Sequence, residues 1–169
     1  RDAAIVVLSR EGAEGVDMLM KDTDDDGVTV ISSLALHQNE KDLLELVRAG
    51  FDKVIVLLNS PYQMEVHEIL PYCDAMLFIS TPGHQGFVGV ADILRGEVNP
   101  SGRLVDTYAT SSLSAPATVN SGTDTPKFAN ADQINAAIGQ DEFAEYISFQ
   151  AENIYIGYRY YETRYADAV

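Results

Sequence analysis

Three short apolar runs divide the chain, and between them apolar residues recur at helical spacing. Ile5–Leu8 is apolar without alternation, the pattern of a strand buried on both faces. A polar stretch from Lys21 to Thr29 follows, and Val30 and Ile31 beyond it look extended. In NEKDLLELVRAGF, Leu43, Leu44, Val47 and Phe51 fall on one helical face, with Asn39 placed to cap the helix and Gly50 near its end. Val54–Leu58, within KVIVLLNS, predicts a second buried strand. YQMEVHEILPY predicts a short helix stopped by Pro71, AMLFIS a third strand, and GFVGVADILRG a helix ended by Gly96. Asn99–Gly102 (NPSG) is a turn, since Pro fixes φ and Gly accepts a positive one.

Strand and helix therefore alternate, which dictates right-handed crossovers and a mostly parallel sheet covered on both faces. The expected fold is α/β, a three-layer α/β/α sandwich with Rossmann-like layering. Ligands of such sheets sit at the carboxyl ends of the strands. Three loops qualify here: SREGAEGVD, NSP and STPGHQGF. Residues Ser111–Phe149 are rich in Ser, Thr, Ala, Asn and Asp and read as a long surface excursion, with one short helix near Asp132–Ile138.

With 169 residues, 46% of them hydrophobic, the chain suits a single domain with a real core. Its net charge of −15 repels phosphate, so nucleic acid and anionic membrane are not expected partners. No apolar run approaches the roughly 18 residues of a membrane span. A signal segment is equally absent from the first residues, and the reading is a cytoplasmic protein. Both ends look like cuts through something longer, because Arg1-Asp2 runs straight into a strand and the tyrosine-dense tail YIGYRYYETRYADAV normally packs against a neighbour.

The first loop holds the candidate chemistry. Gly12 and Gly15 let the backbone turn sharply and approach a ligand, and a partly desolvated carboxyl at Glu11 or Glu14 is suited to proton donation. A solvated acidic turn is the plain alternative. DTDDDG places Asp22, Asp24, Asp26 and Gly27 at the first positions of a calcium loop, yet Ser33 stands where the bidentate glutamate belongs, so the metal reading stays a weak rival. His37, His67 and His84 lack the spacing of a metal pair. Cys73 has no base partner and reads as a small buried hydrophobe. A dinucleotide fingerprint, a phosphate-cradling loop and a nucleophile elbow are all missing.

AIVVLSREGAEGVD, KVIVLLNSP, TPGHQGFVGVADILRGEVNPSGRL and IYIGYRYYETR occur in that order. Together they resemble the C-terminal α/β sandwich domain of family 3 glycoside hydrolases of the β-glucosidase type. The resemblance covers nearly the whole chain, most weakly Ser111–Phe149. It departs from the family at Ala13 in place of Gly, Met18 in place of Arg, and His84 in place of Gln.

The resemblance implies retaining hydrolysis of terminal β-glycosidic bonds by two carboxyl groups about 5–5.5 Å apart. It implies that Glu14 is the acid/base, with Glu11 the runner-up. Asp17, His84 and Gln85 then shape the substrate pocket, and no cofactor is required. The nucleophile lies on an N-terminal (β/α)8 barrel outside this single domain. That barrel and a carbohydrate substrate are the expected partners, and the isolated chain is expected to be inactive. Left without the barrel, the face meant for it is expected to pair with a second copy. The other reading is a non-catalytic carbohydrate-binding or scaffolding module of the same fold.

Overall fold

The computed structural model describes residues 2–12, 14, 22–23, 29–30, 32–119, 129–139 and 151–164. Its strands are β1 (Ala4–Ser9), β2 (Asp22–Thr23), β3 (Thr29–Val30), β4 (Val54–Asn59) and β5 (Ala75–Phe78). Its α-helices are α1 (Gln38–Gly50), α2 (Gly83–Leu94), α3 (Pro116–Val119), α4 (Ala131–Ile138) and α5 (Tyr158–Thr163). Strands β1, β4 and β5 form a sheet in that order, with both pairings parallel. β2 and β3 make a separate antiparallel pair. The fold is the α/β class that the alternation of strand and helix dictated.

Register explains the core. Val6 lies opposite Val56, and Leu8 opposite Leu58, so period-two geometry sends these side chains to one face together with Val54. Leu36, Leu44 of α1, Met64 and Ile69 complete the cluster. Val54, Val56, Leu44 and Ile69 are fully enclosed. Each such burial stabilises the fold by about 1.5–3 kcal/mol.

Helix α1 starts one residue before the expected cap. His37 is the N-cap, and Glu40 in the first turn accepts its N–H at 2.9 Å. Leu44 enters the core, with Val47 and Phe51 packed against it, whereas Leu43 is 43% exposed. At the other end Arg48 reaches Asp74 at 2.6 Å, and Asp74 also accepts the Val54 N–H at 2.7 Å. One carboxylate thus ties the last turn of α1 to the start of β4.

Several expectations need correction. β1 is buried on one face only: Ile5 and Val7 are 52% and 48% exposed, because α1 and the core cluster occupy the Val6 side. No α-helix forms over Tyr62–Tyr72. That stretch runs through turns into a 3-10 helix at Leu70–Tyr72, with Pro71 inside its first turn. Pro tolerates this position because the first-turn N–H groups lack helical partners anyway. Helix α2 begins at Gly83, so His84 and Gln85 belong to its first turn and not to a loop. Gly96, in the left-handed region at φ +76°, follows its end.

α4 lies where the helix over Asp132–Ile138 was expected. Upstream of it, Ser112 is drawn inward: its N–H and hydroxyl donate to Glu65 at 2.6 and 2.8 Å. Tyr161 of α5 is buried, its hydroxyl 3.1 Å from Ser114 Oγ.

Candidate active site

All three strands of the main sheet are parallel, so their carboxyl ends share one edge. The segments leaving that edge carry Arg10–Gly12 and Glu14, Ser60–Tyr62 and, after β5, Ser80–Gln85. Ser80 has a positive φ of 52°, rare for a residue with a Cβ. It turns the chain from β5 toward α2.

The first segment is held at two points. Arg10 extends the ladder, its N–H donating to the Asn59 carbonyl at 3.2 Å. Its guanidinium then spends every N–H it has. Nε donates to the Ser33 carbonyl, Nη1 to the Ser9 carbonyl and Glu40 Oε1, and Nη2 to the Ala35 carbonyl and Glu40 Oε2, all at 2.6–2.8 Å. This planar fork matches a carboxylate as a lysine cannot. The side chains are only 9% and 17% exposed. Burial pushes the Glu40 carboxyl up, but the Arg10 hydrogen bonds, the His37 N–H and the neighbouring charges outweigh it and hold Glu40 below its ordinary 4.5.

The second point is Gly12. A Cβ there would lie 2.6 Å from Pro61 Cγ and 2.8 Å from both Cε2 and the hydroxyl of Tyr62. The backbone of the acidic segment therefore rests directly on the segment that follows β4. That segment is itself fixed, since the buried Ser60 hydroxyl donates to the Tyr62 carbonyl at 2.9 Å and accepts the Tyr62 N–H at 3.0 Å.

Glu11, between these anchors, and Glu14, beyond them, are exposed, with Glu14 in a turn. His84 and Gln85 are exposed on α2. Asp17, Asp24 and Asp26 lie outside the described residues. Asp22 belongs to β2, paired with Val30, and the Ser33 carbonyl is taken by Arg10. Among the described residues no group of His, Cys, Asp and Glu is gathered for a metal. Cys73 packs against the core, where burial and the charge of Asp74 push its thiol up and away from the reactive thiolate.

Two of the concavities formed by the described residues lie elsewhere. One of about 230 Å³ is bordered by Glu65, Ser112 and Tyr161. The other, about 650 Å³, runs between β5, α2 and Val98–Leu104. Neither is lined by Glu11 or Glu14, so the acidic turn stands outside both. Sequence reasoning missed Arg10, Glu40 and Tyr62 as parts of this edge. The one legible hint was a cation placed directly after a strand in a chain with 26 acidic and 11 basic residues.

Comparison with known proteins identifies the family. Residues 1–158 match the glycosyl hydrolase family 3 C-terminal domain. A β-glucosidase of Ruminococcus albus is 30% identical over 171 residues, covering 99% of this chain and 15% of that protein. β-Glucosidase A of Butyrivibrio fibrisolvens is 28% identical, covering 96% and 19%. A solved β-glucosidase of Chaetomella raphigera superposes with a TM-score of 0.61 at 24% identity, covering 97% of this chain and 19% of that one, and so shares the fold. The chain thus spans less than a fifth of the length of these relatives, and it belongs to the family 3 glycosyl hydrolase C-terminal domains.

Proposed function

We propose that this chain supplies the general acid/base of a retaining β-glycoside hydrolase, and that Glu14 is the group. The observation that carries this reading is an exposed carboxyl on a turn at the carboxyl edge of a parallel sheet, two residues beyond a glycine pinned on Tyr62. Ligands of open α/β sheets bind at that edge. Membership of the family and the β-glucosidase names of the relatives support it.

In the first step a carboxylate from a separate barrel domain attacks the anomeric carbon. The glycosidic C–O bond breaks, and Glu14 gives its proton to the departing oxygen. In the second step Glu14, now ionised, takes a proton from a water molecule as that water attacks the anomeric carbon. The ester to the nucleophile breaks and the sugar leaves. Asp17, His84 and Gln85 shape the mouth of the pocket. These steps call for neither metal nor organic cofactor.

Alanine at each of the two candidate acids, in the longer enzyme, tests the assignment. On a disaccharide, Glu14→Ala is expected to lower kcat/KM by about 100-fold to 10,000-fold, and Glu11→Ala by less than about 3-fold. Reversed losses would transfer the role to Glu11. Unchanged hydrolysis in both variants would leave the chain as a non-catalytic module.

A further inference from the structure

We infer that Arg10 and Glu40 form a positioning device for the acidic turn, and not merely a structural ion pair. The inference rests on the reading of Glu14 as the acid. Arg10 is the first residue after β1, and its partners come from both sides of the excursion that carries Glu14. Ser9 lies before that excursion, and Ser33, Ala35 and Glu40 lie after it. The guanidinium therefore joins Ser9, before Glu14 in the chain, to Ser33, Ala35 and Glu40, after it. Glu40 is fixed from behind, because it also caps His37 at the start of α1. Residue 14 is only four positions from this knot, with the Gly12–Tyr62 contact between them.

A short tether on a rigid base limits where the Glu14 carboxyl can travel. Proton transfer to a departing oxygen requires hydrogen-bond reach, and a misplacement of 1 Å costs on the order of 100-fold. The division of bonds also ranks the partners. Three of the five Arg10 donors go to backbone carbonyls, so Arg10 still joins Ser9 to Ser33 and Ala35 without the Glu40 charge. Lysine cannot replace it, having three donors on a point charge and no fork.

Two measurements test this device. The first is amide exchange in the protein itself, followed on a fragment spanning Ser9–Glu14. Arg10→Gln is expected to speed exchange of the Glu11–Glu14 amides at least 10-fold, Arg10→Lys nearly as much, and Glu40→Gln by a smaller factor. Exchange unchanged in all three variants overturns the inference, whether or not Glu14 is the acid. The second is kinetic, in the longer enzyme. Arg10→Gln is expected to lower kcat on an unactivated glycoside by on the order of 10-fold to 100-fold, while an aryl glycoside with a good leaving group loses less than about 3-fold. Equal losses on both substrates would make Arg10 purely structural. A split seen for Arg10→Gln but absent in Glu14→Ala would keep the device and remove Glu14 as the group it serves. Glu40→Gln, which preserves side-chain size and a cap acceptor, carries the same comparison should Arg10→Gln not fold.

Discussion

Arg10 and Glu40, thirty residues apart in sequence, meet fork to fork, with Nη1–Oε1 at 2.7 Å and Nη2–Oε2 at 2.8 Å. They join the carboxyl end of β1 to the amino end of α1. The acidic turn begins where this joint ends, so the stability of the domain and the geometry of its candidate site share one interaction.

That joint has a pH signature. Glu40 has its carboxyl held below the ordinary value of 4.5 by partners that exist only in the folded state. A depressed folded value means the contribution is fully present above pH 4.5 and is lost as pH falls through the folded value. At neutral pH, Glu40→Gln is expected to cost about 3 kcal/mol, as breaking a largely buried pair does. Thermal unfolding of wild type and variant between pH 7 and pH 3 checks this: the gap in Tm narrows only below pH 4.5. A gap independent of pH would assign the cost to packing.

Gly12 gives a second prediction. A methyl group there meets Pro61 and Tyr62 at 2.6–2.8 Å, closer than packing allows, so the segment must lift. Gly12→Ala is expected to destabilise the protein by about 1–3 kcal/mol. Adding Tyr62→Ala should recover only part of this, because the Pro61 ring stays in place. Urea unfolding of the single and double variants measures both effects.

In the core, Leu44 is fully enclosed while Leu46, two residues on, is 73% exposed. Leu44→Ala is expected to cost about 3 kcal/mol and Leu46→Ala less than about 0.5 kcal/mol. Chemical denaturation resolves the difference. Similar costs would mean that α1 packs with a different face inward.

The Ser112–Glu65 contact anchors the segment that leads into α3. Ser112→Ala removes one of two hydrogen bonds to a buried carboxylate and is expected to cost about 1–2 kcal/mol. It should also speed proteolytic cleavage near Ser111–Val119. Cleavage at the wild-type rate would show that α3 is held by other contacts.

Local periodicity made β1, β4, β5 and α1 legible in the sequence, because each element announces itself within its own residues. What failed depended on distant partners. The run Ile5–Leu8 promised burial on both faces, but whether Ile5 and Val7 are covered is settled by what packs across the sheet. YQMEVHEILPY has helical-looking residues, yet Met64 is claimed by the core and Glu65 by Ser112. Competing tertiary contacts leave a 3-10 turn where propensity suggested a helix. Gly12 was legible as a site of close approach, but the group it approaches is Tyr62. Glu11 and Glu14 were singled out by residue type, while the guanidinium that holds their base was invisible without the fold.

The most direct test of the central claim is a leaving-group series in the longer enzyme, with log(kcat/KM) plotted against the acidity of the departing alcohol for wild type and Glu14→Ala. A donated proton makes a poor leaving group tolerable, so the wild-type line should be nearly flat and the variant line steep, the two converging at the most acidic phenols. Parallel lines would mean that the proton comes from another group, and Glu14 would not be the general acid.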